Sequence, residues 1–291
     1  MQKILSLCMM VLGSVVAWAS VPSTVVIEPL CKATVSWNQT GALNEKIHYN
    51  RNYPCGCDML AWGQVLTYHG LMHGAPDASW KPSSETWPVM LFKSVNDWPP
   101  TEENRTTSGQ PYNWADVRDQ KEDASRLMYD LGALGRAAYR PGLTSGTLSR
   151  KDIKRYFGYK GQGWLYTSPH YHVDVNQAAQ REPNWKEMIV QQVRASLHAG
   201  SPLVVSLMTS TGGHMVICDG YGYAADGTLL FHFHYGWGST SGVWYPESWW
   251  WNVGGNDKFQ TVNINVHPED LGCVLAGRIT AAGKPLANVT V

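Results

Sequence analysis

An α+β fold is what this 291-residue chain predicts, and three observations carry that expectation. Residues 57–69 make a helical stretch that is apolar on nearly every side, through Met59, Leu60, Ala61, Trp62, Val65 and Leu66. A helix of that kind is buried in a core rather than laid on a surface. Two further stretches, "KEDASRLMYDLGALGRAA" and "NWKEMIVQQVRASLHAG", read as helices, the second stopped by Gly200. After Pro202 the composition turns to β-rich runs: "LVVSLMT", "HMVICDGYGY" and "TLLFHFHYG". A helical half followed by a sheet half is an α+β layout.

Taken in order, residues 1–19 read as a secretory signal peptide. Lys3 is its positive end, Ile4–Val16 its apolar region and Ala17-Trp18-Ala19 a small-residue cleavage site. The apolar run is shorter than the ~20 residues a membrane-spanning helix needs, so no transmembrane anchor is expected. The expected location is secreted, periplasmic or at the cell surface. "TVVIEPL" and "ATVSW" read as short strands, and residues 57–69 as a helix ending at Gly70. Residues 71–113 read as loops with short helices. Ser149 and Asp152 sit at the spacing of a capping box, and "AADG" joins the last two β-rich runs as a hairpin turn. Residues 270–291 repeat a strand–turn–strand pattern and resemble the truncated start of a carboxypeptidase-regulatory-like β-sandwich, with further C-terminal domains expected beyond residue 291.

The formal charge is zero and no Lys/Arg run stands out, which argues against nucleic acid or an anionic membrane surface as partner. Removing Cys8 with the signal peptide leaves Cys31, Cys55, Cys57, Cys218 and Cys273, an odd number for an oxidising compartment. A Cys55–Cys57 disulfide would need a strained ring, and no second cysteine pair completes a metal site. "HFH" (His232, His234) and "HYH" (His170, His172) put two imidazoles on one strand face without a third ligand, so neither a metal nor a cofactor is expected. The "ESWWWN" cluster reads as packing under loops.

Cys57 opens the buried helix, where unpaired backbone N–H groups and the positive end of the helix dipole favour a thiolate. Asp58 beside it opposes this. A thiolate nucleophile needs an imidazole partner, and His214, after two glycines and at the start of a buried strand, has the best setting.

"GCDMLAWGQVLTYHG" resembles the nucleophile helix of the streptopain-like cysteine peptidases, a papain-like group, with Gly56, Cys57, Ala61, Gln64, Tyr68 and His69 at matching places. "GGHMVICDGYG" and "LLFHFHYGWG" resemble their histidine and Phe-His-x-Asn-x-Gly-Trp-Gly segments, and "VSWNQ" the stretch that supplies an oxyanion-hole glutamine. The resemblance spans roughly residues 30–245 and implies the papain-like peptidase fold over a domain at 20–265. It implies Cys57 as nucleophile, His214 as general acid/base and Gln39 as oxyanion donor. Trp237 would shield the pair.

Three departures matter. His234 stands where the family usually has the imidazole-orienting Asn and is expected to keep that orienting role, together with Trp237, at some cost in rate or pH range, and Asp58 replaces a small apolar residue. About ten residues between the expected cleavage and Cys31 leave no room for the family's long inhibitory pro-segment. The implied function is a secreted cysteine endopeptidase acting on protein or peptide substrates through an acyl-enzyme thioester. An acyltransferase or amidase of transglutaminase type using the same pair, and a catalytically decayed binding module, are the alternatives.

Overall fold

The N-terminal segment begins with β1 (Thr24–Ile27) in this computed structural model, which describes residues 21–47, 53–73, 83–94, 98–160, 164–166, 185–209, 212–238, 242–251, 258–264, 266–268, 280–281 and 284–285. The expected signal peptide, Cys8, Cys273 and the His170/His172 pair lie outside the described residues. "ATVSW" is not a strand: Lys32–Thr34 form a single 3₁₀ turn. The hydroxyl of Thr34 donates back to the Cys31 carbonyl at 3.0 Å, a local bond that competes with strand pairing.

Helix α1 (Cys57–Met72) follows, and Gly70 does not end it. A Cβ at Gly70 would come within 2.2 Å of the Trp114 ring, so that glycine lets a neighbouring helix approach. Residues 86–106 hold a hairpin that the sequence reading missed: β2 (Thr86–Leu91) pairs antiparallel with β3 (Thr101–Thr106). Then come α2 (Trp114–Arg118), α3 (Glu122–Leu134), β4 (Ala138–Arg140), β5 (Leu143–Ser145) and α4 (Arg150–Phe157). The expected capping box at Ser149 is present, with the hydroxyl accepting from Asp152 N and the Asp152 carboxylate accepting from Ser149 N.

Strands β6 (Tyr159–Lys160) and β7 (Trp164–Tyr166) lead to α5 (Trp185–His198). The sheet half is β8 (Leu203–Thr209), β9 (Gly212–Tyr223), β10 (Leu229–His234), β11 (Gly242–Pro246) and β12 (Lys258–Asn263), then β13 (His267–Pro268). The main sheet runs β11-β10-β9-β8-β12-β7 with every neighbouring pair antiparallel, and β1 pairs with the far end of β9. Near the C-terminus β14 (Thr280–Ala281) pairs antiparallel with β15 (Lys284–Pro285).

Two cores fill the molecule. One gathers α1, α3 and the β2–β4 region around Trp37, Trp62, Met128 and Tyr139; the other gathers α5 and the main sheet around Phe231, Phe233, Tyr245 and Trp250. Val204 and Ile217 of the sheet belong to the first core, so α1 lies against β8 and β9 at the junction. This explains why α1 is apolar all round: it has core on every side. Among the described residues, no helix is long and apolar enough to cross a membrane.

Candidate active site

Gly56 precedes α1 with φ 100° and leaves its N-terminus without a side-chain cap. Both space and conformation demand glycine there, since a Cβ would stand 2.3 Å from Met59 Cε. Cys57 is therefore the first helical residue, half-buried, with the unpaired N–H groups of the first turn around its sulfur. Cys31, Cys55 and Cys218 are also free thiols but are fully buried.

Burial is the largest influence on Cys57 and pushes its thiol up from the ordinary value. The Met215 N–H pulls it down, Asp58 pushes it up again, and the N–H groups of Asp58 and Cys57 favour the thiolate. The helix terminus acts as expected, yet desolvation outweighs it.

Asp58 is buried, its Oδ2 accepting from Leu148 N at 2.6 Å. Desolvation raises its pKa to about 7, partly offset by that bond and by the nearby Trp62 indole. The indole N–H helps hold the charge without meeting hydrogen-bond geometry, so Oδ1 has no partner.

His214 stands on β9 opposite Leu207 of β8, one residue before Met215, whose N–H reaches the Cys57 sulfur. Its Nε2 lies 3.0 Å from the carbonyl oxygen of Tyr235. A carbonyl only accepts, so Nε2 carries the proton and Nδ1 is the basic nitrogen. The ring stacks on Trp237 at 4.8 Å and 18°, and Trp237 stacks in turn on Tyr235 at 5.1 Å. Trp237 is 36% exposed, so this stack forms one outer wall of the site. Burial lowers the His214 pKa to about 4, with the Tyr235 carbonyl opposing it, which leaves a neutral imidazole at rest.

His234 has partners other than the one expected for an orienting residue. Its Nδ1 lies 3.0 Å from Gln64 Nε2 and 3.3 Å from Gly236 N, and its Nε2 faces the Val35 carbonyl. The group bonded to His214 is instead a backbone carbonyl, which no side-chain pattern could announce. His232, its neighbour on the same face, pairs with Asp219 at 2.6 Å. Among the described residues no cluster of three or more metal-ligating side chains could hold a metal ion.

Gln39 is half-buried and held from two sides. Its carbonyl accepts from Cys55 N at 2.7 Å, while the preceding Asn38 makes a β-bridge with Trp237 and Gly238 N donates to Trp37 O at 2.9 Å. The backbone thus ties the Gln39 segment both to the approach to α1 and to the turn that covers His214. Gly236 (φ 73°) lets that turn settle on α1, since a Cβ would come 2.3 Å from Leu60 Cδ2.

A buried helix carrying a cysteine, laid against an antiparallel sheet carrying a histidine, is the α+β architecture of the papain-like cysteine proteases. Solved structures that share it include two of interpain A. Prevotella intermedia interpain A cysteine protease aligns with a TM-score of 0.54 at 18% identity, over 84% of this chain and 97% of its own. A fragment of its precursor, prointerpain A, aligns with a TM-score of 0.55 at 16% identity, over 89% and 80%.

The chain belongs to the peptidase C10 family, whose profile matches residues 37–245. Streptopain of Streptococcus pyogenes is 26% identical over 202 residues, which is 64% of this chain and 44% of that protein. The chain thus spans about half the length of the curated relatives it matches.

Proposed function

We propose that this chain is an exported cysteine endopeptidase acting on protein or peptide substrates. The observation that carries the reading is the seat of Cys57 at an uncapped first turn, its sulfur beside the N–H of the residue that follows His214. In this reading His214 Nδ1 takes the thiol proton as the sulfur attacks the scissile carbonyl, then gives it to the departing amine. Water, deprotonated by the same nitrogen, cleaves the thioester and restores the thiol. Both groups are held neutral at rest by burial, so the proton moves as the attack proceeds.

The Gln39 amide and the Cys57 N–H stabilise the oxyanion, each such donor being worth about 2.7–4 kcal/mol in comparable sites. Trp237 shields the imidazole and favours its cationic form by facing it with a π-system. In this reading the peptidase domain covers residues 20–265, with residues 1–19 as its signal peptide.

The test is Cys57→Ala. Casein hydrolysis is expected to vanish, and iodoacetamide labelling of the native protein to lose the share carried by Cys57, since the other described thiols are buried. A variant that cleaves casein at the wild-type rate would refute the assignment. Cross-linked product in the presence of an added amine, in excess over hydrolysis, would favour acyl transfer instead.

A further inference from the structure

Gln64 lies two turns along α1 from Cys57 and is fully buried. Its Nε2 is 3.0 Å from the Thr34 carbonyl and 3.0 Å from His234 Nδ1. The carbonyl only accepts, so the amide nitrogen faces it, and the second N–H of that nitrogen points to His234. His234 Nδ1 must then carry a lone pair, which also receives Gly236 N–H at 3.3 Å. The ring proton is left on Nε2, which faces another pure acceptor, the Val35 carbonyl. Each placement compels the next.

The Gly236 N–H and the Tyr235 carbonyl belong to the same peptide group. On one edge that peptide receives the Nε2–H of His214; on the other it donates to Nδ1 of His234. A single directed series results: His214, the 235–236 peptide, His234 and the Val35 carbonyl, with Gln64 joining at His234. Hydrogen bonds aligned this way polarise one another.

We infer that the Tyr235–Gly236 peptide is the orienting group of His214, and that Gln64 and neutral His234 are positioning residues that fix the plane of this peptide. The inference rests on the roles proposed above for Cys57 and His214. The pair also joins the three segments that carry the site. Gln64 is on the nucleophile helix, Thr34 and Val35 lead to Gln39, and Gly236 precedes Trp237. His234 thereby acts on His214 at one remove, through backbone.

Two measurements test this. The first is ¹⁵N NMR of histidine-labelled protein near neutral pH, which reads the tautomers whether or not the chain cleaves anything. His234 is expected to show a protonated Nε2 and a bare Nδ1, and Gln64→Met to shift the Nδ1 resonance as one of its two donors is lost. A protonated Nδ1 on His234 in the wild type would overturn the inference.

The second is the kinetics of Gln64→Met, which removes both amide donors at similar length. A small misplacement of the imidazole should cost about tenfold to a hundredfold in kcat, with KM changed less than about twofold. His234→Asn, whose amide can both accept and donate, should recover more activity than His234→Phe. Unchanged kcat in a folded Gln64→Met variant, or a loss confined to KM, would reject the positioning role. A wild type without peptidase activity would instead refute the proposed function, and the tautomer spectrum would still judge the pair.

Discussion

Asp58 shows how a single residue can set the working range of its neighbour. Its carboxyl is pushed up to about 7 by burial, so near neutral pH it is divided between acid and carboxylate, and the carboxylate raises the Cys57 thiol. Asp58→Asn can keep the bond from Leu148 N while removing the charge. Its thiol is therefore expected to have a lower pKa and to react with iodoacetamide severalfold faster above neutral pH. Rate profiles that superimpose on the wild type would dismiss the effect. The sequence showed Asp58 as an oddity beside Cys57 but not its partner, because Leu148 is 90 positions away. Cys57, His214 and Gln39 stood out through recognisable neighbours. The partners of His234 did not, since Val35 and Gly236 meet it through main-chain groups.

At the scale of elements, legibility followed burial. Helix α1 and strands β8 to β10 were readable because core surrounds them and apolar side chains recur along each. The β2–β3 hairpin was not. Strand β3 is "TEENRT", with only Arg105 buried, and β2 contains Pro88. Proline is admitted there because β4 pairs only with Met90 and Leu91, leaving the Pro88 edge outside that ladder. Gly70 misled for a related reason: its value lies in what packs on it, not in its own conformation. Gly70→Ala would drive a methyl into the Trp114 ring, at an expected cost of about 1–3 kcal/mol. Thermal melts should show a clear loss of Tm with activity retained at low temperature. An unchanged Tm would mean that α2 yields freely.

For the molecule as a whole, burial of imidazoles at the junction links stability to pH. His69 Nε2 donates to the Val266 carbonyl at 2.9 Å, and burial lowers its pKa to about 3; that of His214 falls to about 4. The unfolded chain takes up protons near 6.5 at both positions while the folded chain does not, so stability present above 6.5 is lost as pH falls toward 4. Asp58 acts in the opposite sense: its raised pKa means the folded chain keeps a proton there that the unfolded chain has already released. Melts between pH 6.5 and 4 should show Tm falling on acidification. Asp58→Asn should fall more steeply, by about one proton, or about 1.4 kcal/mol per pH unit. A variant with the wild-type slope would contradict this balance.

The bridge between Asn38 and Trp237 joins segments from opposite ends of the domain. Biosynthesis runs from the N-terminus, so Cys57 is made long before His214 and before the turn that packs on His214. Until residues 234–238 have emerged and settled on Leu60, the Gln39 segment lacks one of its two anchors and His214 lacks its acceptor. A half-made chain therefore carries Cys57 without the packed surroundings of His214.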